Sequence, residues 1–455
     1  MRYAAPSIAL KNSRDVTLPD FSILHGGHFG ILAAVFGGAR ATLWSLKGVV
    51  GLRSRNVTGL ENDTEKPATP MVRFHFEPLR GKPAAFMFLT MVSTRSRTLL
   101  LALSMLPVLA SAQGTAKTLD IYYIDTEGGQ ATLFVSPTGQ TVLVDTGNPG
   151  TRDAERIVQA ITAAAVKQID YLLITHYHSD HIGGYLELAK RIPVLHYVDH
   201  GPTVQPEQNI PSQQAYAAAI AQGSHVIAKP GDTLPVTGID WTIVSSATKT
   251  LTTSKASWPG AAKPNPACAD FVPKETKADL ENANSVGSVI SYGAFRTADL
   301  GDLLWNYEAE LVCPTNHLGT VDVLLTTHHG VNISGPKALV NALQPRVVVM
   351  NNGIRKGAHV ETFETLETSP GLEDLWQLHW SFNGLLEHNA PGRFIANIED
   401  ATTTSAVVGA LGDVRGLGNP EHSPAYWIKV SAQSDGTFTV TNARNGFSKT
   451  YRPRH

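Results

Sequence analysis

The sequence predicts an α/β fold with the layer order αββα, in which two β-sheets pack face to face and helices cover both outer faces. The main observation is that a run of strand-like segments followed by strand–helix alternation occurs twice between residues 113 and 380. A second observation is a hairpin signal in the tail 381–455, which we expect to complete one of the sheets. The region 113–380 is therefore predicted to be one domain of two similar halves.

Residue type and spacing define the elements of the first half. Stretches rich in β-branched and aromatic residues predict strands, and apolar residues repeated every three to four positions predict helices. The segment 171–174 is apolar throughout, as expected of a buried strand, and it leads directly into a group of histidines. The predicted strands are 118–124, 131–135, 141–144, 171–174 and 194–198, and the predicted helices are 154–166, 183–190 and 212–222.

The second half follows a stretch without periodicity. Pro, Lys, Ser and Asn dominate residues 248–284, so we predict a long surface insertion there. In the tail, Ser434-Asp-Gly436 is a turn sequence between two strand-like segments, 427–431 and 437–441. Between the insertion and the tail, the predicted strands are 286–292, 294–300, 321–325 and 346–350, and the predicted helices are 305–312, 336–343 and 362–368.

Composition indicates an ordinary globular protein. Of the 455 residues, 42% are hydrophobic and 17% are charged, a balance that excludes a wholly disordered chain. The formal net charge of -2 gives no reason to expect a polyanionic partner. Nucleic-acid binding would need a local basic groove, which a sequence does not display.

Residues 91–112 are predicted to be a secretory signal peptide. A basic stretch from Met91 to Arg97 precedes a nearly continuous apolar run, 99–110, and Ala110-Ser-Ala112 has the small-x-small pattern of a cleavage site. The apolar run is too short to span a bilayer; the alternative is a buried core helix. We therefore expect a periplasmic or secreted protein with no stable membrane span after cleavage. Residues 1–90 would then be a non-native upstream extension or a disordered segment.

Cys268 and Cys313 are the two cysteines of the chain, and both lie in the part expected to be exported. In an oxidising compartment they allow one disulfide, which would tie the predicted insertion to the rest of the domain. The alternative is a pair of buried free thiols.

Four residues of metal-binding type fall within the heptapeptide Thr175-His-Tyr-His-Ser-Asp-His181. His176 and His178 are two positions apart on extended backbone, so their side chains point the same way. Asp180 and His181 then fall in the first turn of the following helix. Imidazole and carboxylate groups that converge at one strand end suit zinc.

This cluster resembles the hallmark of the metallo-β-lactamase superfamily, and the resemblance covers about residues 117–380. It implies a hydrolase domain with the αββα fold and two zinc ions per chain, although manganese or iron would also suit such ligands. By resemblance, His176 and His178 hold the first metal ion, and Asp180 and His181 hold the second.

Two aspartates match further motifs of the family. Asp145, in Leu143-Val-Asp-Thr-Gly147, corresponds to an aspartate that orients the cluster residues without binding metal. Asp302, in a Gly-Asp pair, corresponds to the aspartate that bridges both metal ions. Asp299 is the alternative, but it comes too early for the Gly-Asp match. Counted along the strand, its side chain also falls on the opposite face.

The sequence Thr326-Thr-His-His-Gly330 places two more histidines at a strand end. It resembles one branch of the family, which includes the soluble domain of the DNA-uptake protein ComEC and the choline-phosphate esterases. By resemblance, His329 is a ligand of the second zinc ion because it directly precedes the glycine, and His328 is the alternative. His359 resembles a later histidine near the pocket of that branch, where it would contact a phosphate or protonate a leaving group.

The chain departs from the family at its third motif, usually Gly-His-Thr. Alignment on Gly287-Ser288 puts Asn284 where the histidine should be, so the first zinc ion would lack one ligand. His200 or His225 could substitute, although an ordinary surface histidine is the simpler interpretation of each. ComEC-like domains also tend to lack this histidine, which favours that branch.

The resemblance implies hydrolysis by a hydroxide that bridges two zinc ions, with Asp180 and Asp302 orienting the assembly. The ComEC-like features favour phosphodiester or phosphate-ester bonds in a small molecule, a nucleotide or a nucleic acid. β-Lactam or lactone hydrolysis is the alternative activity. A metal-stabilised binding protein without catalysis is the alternative of another class. The sequence gives no indication of the oligomeric state.

Overall fold

The computed structural model describes residues 31–35, 40–44, 117–208, 210–275, 280–384, 387–398 and 424–454. The chain separates into two compact units, Met1–Gln113 and Gly114–His455. In the described part of the first unit, strands β1 (Ile31–Val35) and β2 (Arg40–Trp44) form an antiparallel pair. The predicted signal peptide, 91–112, lies outside the described residues.

The second unit contains the remaining helices and strands of the described chain. Its helices are α1 (Thr151–Ala163), α2 (Ser179–Ile182), α3 (Tyr185–Leu188), α4 (Pro211–Ile220), α5 (Trp305–Glu310), α6 (Lys337–Leu343) and α7 (Val360–Glu367). Its strands are β3 (Leu119–Tyr123), β4 (Thr132–Val135), β5 (Thr141–Val144), β6 (Ile169–Leu173), β7 (Val194–Asp199), β8 (Ser224–Ile227), β9 (Thr233–Leu234), β10 (Asp240–Ser246), β11 (Lys249–Thr250), β12 (Lys263–Pro264), β13 (Gly287–Tyr292), β14 (Phe295–Asp299), β15 (Thr315–Asn316), β16 (Val323–Leu325), β17 (Val347–Met350), β18 (Asp374–His379), β19 (Ile395–Asn397), β20 (Ile428–Ala432), β21 (Phe438–Asn442) and β22 (Ser448–Tyr451).

Two nine-stranded sheets dominate this unit, and they share one plan. The first sheet has the order β22-β21-β20-β3-β4-β5-β6-β7-β8. The second has the order β11-β10-β13-β14-β16-β17-β18-β19, with β9 also paired to β10. In both sheets an antiparallel part passes into a parallel part, from β5 onward in the first and from β14 onward in the second. The predicted repetition of two similar halves is therefore present.

Alternate residues of the strands pack on opposite sides of each sheet. In the first sheet, Phe134 belongs to a buried cluster shared with the second sheet, and its neighbour Leu133 packs with Ile157 of α1. In the second sheet, Val323 faces the shared cluster and Leu324 packs with residues of α6 and α7. Helices thus cover both outer faces, and the molecule has the predicted αββα layer order.

The C-terminal tail contributes to both sheets. The predicted hairpin is formed by β20 and β21, and β20 pairs antiparallel with β3, so the hairpin extends the first sheet. Strand β22 adds a third antiparallel strand, and β19 joins the second sheet. None of the described helices is both long enough and apolar enough to cross a membrane.

The structure corrects two local predictions. The segment 183–190 is helical only at α3 (Tyr185–Leu188), and Gly183 and Gly184 form a turn between α2 and α3. The insertion 248–284 is not confined to the surface, since it includes the buried Trp258 and ends in a buried turn, Asn282–Asn284. Cys268 and Cys313 form a disulfide, with their Cα atoms 5.7 Å apart, that ties this insertion to the residues after α5.

Candidate metal centre

The candidate site lies where parallel strands of both sheets end. Residues 174–181 follow β6, and Asp145 follows the neighbouring strand β5. In the second sheet, β14, β16 and β17 lead into residues 300–302, 326–330 and 351–359. Because the carboxyl ends of parallel strands meet at one sheet edge, loops distant in sequence converge here.

Asp145 is fully buried and fixes the orientation of His181. It accepts hydrogen bonds from the backbone N–H and the hydroxyl of Thr175, at 2.8 and 2.7 Å. Its Oδ2 also lies 2.7 Å from Nδ1 of His181, which must donate because the carboxylate only accepts. Nε2 of His181 is thereby the nitrogen left to bind a metal ion, which is the orienting role that the resemblance implies for Asp145.

A compact group of ligand-type side chains surrounds Nε2 of His181. This atom lies 3.3 Å from Asp180 Oδ2 and 3.2 Å from Asp302 Oδ2. Nε2 of His329 lies 3.3 Å from each of the same two oxygens. One ligand atom from each of the four residues therefore lies within 4.8 Å of the other three. We call Asp180, His181, Asp302 and His329 the four-residue cluster.

The atoms of the four-residue cluster fit a bound cation. Within the described part of the chain, Nε2 of His181, Nε2 of His329 and Oδ1 of Asp302 are buried without a hydrogen-bond partner. Buried polar atoms are normally paired, so these three call for a ligand. Two imidazoles and two carboxylates form a donor set suited to zinc, and manganese or iron also accept it.

The electrostatics of the cluster favour positive charge at its centre. Burial by itself lowers the pKa of His181, but the carboxylates of Asp302, Asp180 and Asp145 outweigh it and raise this pKa well above its ordinary value. Burial raises the pKa of Asp302, yet His181, His329 and His328 bring it well below its ordinary range. A proton and a metal ion therefore compete for Nε2 of His181, because the surrounding carboxylates attract either positive charge.

His176 and His178 form a second pair of converging ligands. Nε2 of His176 lies 2.9 Å from Nδ1 of His178, and the His176 ring lies 4.0 Å from that of His181 between centroids. Burial and the charge of His181 lower the pKa of His176 well below its ordinary value, so its imidazole is neutral, the form that binds metal. His178 also contacts the side chain of Gln205, at 3.3 Å.

The structure places Asp302, and not Asp299, in the four-residue cluster. The carboxylate of Asp299 accepts hydrogen bonds from the amide of Gln130, at 2.9 and 3.0 Å, and from the backbone N–H of Gly301. Burial raises the pKa of Asp299 to about 6. Gly301, with a φ of 56°, makes the turn that separates the two aspartates.

Both histidines of the His-His-Gly turn point to the cluster, in different ways. His328 and His329 have φ values of 53° and 56°, a region that residues with a side chain rarely adopt. His329 approaches both carboxylates of the cluster, whereas His328 lies 3.4 Å from Asp302 alone. Burial lowers the pKa of His328 to about 4. The strained turn thus brings two imidazoles to the carboxylate of Asp302.

The asparagine aligned with the missing histidine lies elsewhere. The side chain of Asn284 donates to the carbonyl of Leu280 at 2.6 Å, and Asn282 is the asparagine that approaches His328, at 3.5 Å. Both suggested substitutes pair with carboxylates outside the four-residue cluster. His225 pairs with Asp199, and His200 pairs with Glu281, each at 2.8 Å. His200 is also buried, so its interpretation as a surface histidine is wrong.

His359 is not brought to the cluster, but Lys356 is. His359 precedes α7, and its backbone N–H donates to the carbonyl of Gly330. Its imidazole makes no hydrogen bond or ion pair with the cluster among the described residues. Lys356, from the same loop, donates from its ammonium to Oδ2 of Asp180. Sequence reasoning missed this lysine because no local pattern marks it.

A separate group of buried charges lies beside the site. Asp125, Glu127 and His379 come close enough to hold a metal ion, but the guanidinium of Arg156 lies 3.2 Å from both carboxylates. His379 lies 3.2 Å from Glu127. Since the guanidinium supplies a positive charge there, we interpret the group as an ion-pair network that holds the turn 127–130. Gln130 of that turn donates its backbone N–H to the carbonyl of Asp180.

Comparison with known proteins agrees with this fold. Residues 125–255 match the model of the metallo-beta-lactamase superfamily. The chain is similar to a beta-lactamase-like protein 2 homolog of Caenorhabditis elegans, with 29% identity over 92 residues. That alignment covers 16% of this chain and 31% of the relative, so the chain spans less than a third of this relative.

Among solved structures, the chain is similar to the metallo-beta-lactamase fold protein YhfI from Bacillus subtilis, at 12% identity and a TM-score of 0.35. The match covers 57% of this chain and 95% of that protein. The chain is also similar to CmlA, a diiron beta-hydroxylase from Streptomyces venezuelae, at 15% identity and a TM-score of 0.31, covering 57% and 48% of the two chains.

Proposed function

We propose that the chain is a metal-dependent hydrolase of phosphodiester or phosphate-ester bonds, and the match of residues 125–255 to the model of the metallo-β-lactamase superfamily supports this proposal. The observation that carries the proposal is the four-residue cluster, in which the buried Nε2 atoms of His181 and His329 lack hydrogen-bond partners among the described residues. A structural protein has little reason to keep such atoms unpaired, because each one costs about 1–3 kcal/mol of stability.

We assign the ligand-type residues to two metal positions. His176 and His178 would hold one ion, and Asp180, His181 and His329 would hold the other, with Asp302 bridging them. We propose zinc in both positions, since nitrogen and oxygen ligands in this number suit it. Bound zinc would lower the pKa of a water molecule toward ~7 and so supply a nucleophile at neutral pH. It would also polarise a phosphoryl oxygen of the substrate.

The protein's own residues position these ligands. Asp145 and Thr175 hold His181 in the tautomer that presents Nε2 to the cluster. The amide of Gln130 donates hydrogen bonds to the carboxylate of Asp299 and holds it away, so that Asp302 is the aspartate that faces the histidines. Such positioning matters because misplacing a reacting group by about 1 Å can cost on the order of a hundredfold in rate.

Two features support a phosphate-containing substrate. The His-His-Gly turn resembles the ComEC-like branch, whose members act on phosphoesters. The ammonium of Lys356 lies beside the cluster and adds positive charge where an anionic substrate would approach. We also propose that the protein is exported, which the disulfide between Cys268 and Cys313 supports, since such bonds persist in oxidising compartments.

The proposal is tested by assaying purified full-length protein on bis-p-nitrophenyl phosphate, single-stranded DNA and nitrocefin, with and without a chelator. We expect hydrolysis of a phosphodiester that is lost with chelation and restored by zinc. His176→Ala should abolish it, whereas His225→Ala, which changes a histidine that pairs with Asp199 and is not a proposed metal ligand, should not. Hydrolysis of nitrocefin alone would replace the proposed substrate with a β-lactam. Activity that survives both chelation and His176→Ala would overturn metal-dependent hydrolysis.

A further inference from the structure

Lys356 belongs to a loop whose backbone is fixed on both sides of it. This loop, residues 351–359, follows β17 and carries a turn in which Gly353 donates to the carbonyl of Lys356 at 2.9 Å. The side chain of Asn383 donates to the carbonyls of Arg355 and Gly357, at 2.8 and 2.9 Å. The position of the Lys356 Cα atom is therefore set by the fold.

The turn 127–130 packs against this loop without room for a side chain. A Cβ atom on Gly128 would lie 2.8 Å from Cβ of Lys356, and one on Gly353 would collide with the carbonyl of Glu127. The buried pairs of Arg156 with Asp125 and Glu127 hold that turn in place. These contacts fix the backbone of Lys356 beside the cluster. Its flexible four-carbon side chain can still adopt other rotamers.

The ammonium of Lys356 lies on an oxygen that a metal ion also needs. It contacts Oδ2 of Asp180, the same oxygen that lies 3.3 Å from Nε2 of both His181 and His329. An ammonium and a divalent cation that share one carboxylate oxygen repel each other because both are positively charged and lie close together. A divalent ion bound to Asp180 would therefore displace the ammonium.

The displaced ammonium has a path toward solvent. The side chain of Lys356 is 39% exposed, whereas those of His181, Asp302 and His329 are buried. A lysine that is anchored at its backbone and mobile at its tip can move to the open face of the cluster. There it would meet a negatively charged group of a substrate, and an ammonium binds phosphate oxygens as a point charge.

We propose that Lys356 is an anion-binding residue, which pairs with Asp180 when the metal site is empty and with a phosphate oxygen of the substrate when metal is bound. The proposal rests on the proposed function and assigns a binding role to a residue outside the metal ligands. It follows that Lys356 opposes metal binding in the absence of substrate. It also follows that bound phosphate and bound metal favour each other. Phosphate draws Lys356 away from Asp180, which the metal ion needs, and the metal ion draws Asp180 away from Lys356, which the phosphate needs.

The test compares full-length wild-type protein with Lys356→Met, which removes the charge, and Lys356→Arg, which keeps it. Lys190→Met is the matched control, since Lys190 is 57% exposed and pairs with Glu187 on the surface. Zinc affinity is measured by competition with a chromophoric chelator, and inorganic phosphate is titrated into zinc-loaded protein by calorimetry. KM and kcat for bis-p-nitrophenyl phosphate are measured on the same samples.

We expect Lys356→Met to weaken phosphate binding roughly tenfold or more, the loss of one charge-assisted hydrogen bond, and to raise KM with a smaller change in kcat. The same variant should bind the zinc ion held by Asp180, His181 and His329 about two- to fivefold more tightly, because the ion pair that competes for Asp180 is gone. Lys356→Arg should stay near wild type in phosphate binding, and Lys190→Met should match wild type throughout.

Two results would overturn the role of Lys356. One is unchanged phosphate affinity and KM in Lys356→Met; the other is no phosphate binding by zinc-loaded wild-type protein. Failure of the proposed function is distinguishable, because it would appear as no hydrolysis of any phosphoester by zinc-loaded wild type. Phosphate binding that depends on Lys356 would still be measurable in that case.

Discussion

Asp302 is the residue on which the arrangement of the centre depends most. Its Oδ2 lies 3.2–3.4 Å from the Nε2 atoms of His181, His329 and His328. No other carboxylate of the described chain approaches these three imidazoles together. If Asp302 bridges two metal ions, its loss removes a ligand from each of them.

We therefore predict that Asp302→Ala lowers the occupancy of both metal positions. Wild-type protein should hold close to two zinc ions per chain, and the variant should hold less than one after dialysis against a weak chelator. Inductively coupled plasma mass spectrometry on the purified proteins measures this directly. A variant that still holds one full equivalent would show that Asp302 serves a single ion.

The adjacent histidines of the strained turn should differ in their effect on metal content. His329 contacts both carboxylates of the four-residue cluster, whereas His328 contacts Asp302 alone. His329→Ala should remove the metal ion held by Asp180 and His181 and leave the other. His328→Ala should retain that ion, as measured by cobalt substitution and its visible absorption spectrum. The prediction is wrong if the two variants lose the same absorption band.

Sequence reasoning found those site residues that local patterns mark. His176, His178, Asp180 and His181 fall within six residues, and His329 lies four residues after the buried strand β16. Lys356, Gln130 and Asn282 were not found, because each reaches the site from a loop through packing between distant segments. The alignment gives the position of Asn284 in the sequence but not the direction of its side chain, which the structure turns toward the carbonyl of Leu280.

At the scale of elements, the ion-pair network joins three parts of the fold. Arg156 lies on α1, Asp125 and Glu127 follow β3, and His379 ends β18. All four side chains are almost fully buried. Buried charges of this kind are costly to separate, because the remaining partners lose their counter-charge without regaining water.

We predict that Arg156→Met lowers the free energy of unfolding by about 3–5 kcal/mol, the usual cost of breaking a buried ion pair. Urea denaturation followed by tryptophan fluorescence measures the change. Arg191→Met is the matched control, since Arg191 makes a partly exposed ion pair with Glu187 and should cost less than about 1 kcal/mol. Equal losses in the two variants would contradict a structural role for the network.

Several strands escaped prediction because they bury polar residues. In β18, Gln377 and His379 are fully buried, and Gln377 accepts a hydrogen bond from the backbone N–H of Ala390. In β10, the buried hydroxyl of Ser245 donates to the carbonyl of Ser285. Sequence patterns interpret such residues as surface positions, so apolar alternation is interrupted although the strands lie inside the sandwich.

At the scale of the whole molecule, Glu308 couples stability to pH. It is fully buried on α5, where its Oε2 accepts the backbone N–H of Gly335 at 2.6 Å. Burial raises its pKa from 4.5 to about 8. The folded state thus holds a proton that the unfolded state releases above its own pKa. The stabilisation is complete below pH 4.5 and is lost as the pH rises through 8.

We predict that Glu308→Gln flattens this dependence. The amide resembles the protonated acid and does not ionise, so the variant should gain stability relative to wild type as the pH rises from 5 to 8. The relative gain should be on the order of a few kcal/mol. Urea unfolding at several pH values, with the same metal buffer for both proteins, measures the difference. Parallel curves for the two proteins would refute the assignment.

The pairing of β20 with β3 has a consequence for the order in which the protein folds during synthesis. The two strands are about three hundred residues apart in the chain, and contacts of such long range are slow to form. On the ribosome, the edge of β3 that pairs with β20 stays unpaired until almost all of the domain has emerged. An unpaired edge can associate with other chains. If export occurs before folding, as a secretory signal would imply, β3 pairs with β20 outside the cytoplasm. Closure of the first sheet would then follow export, and the exposed edge of β3 would be covered only when β20 pairs with it.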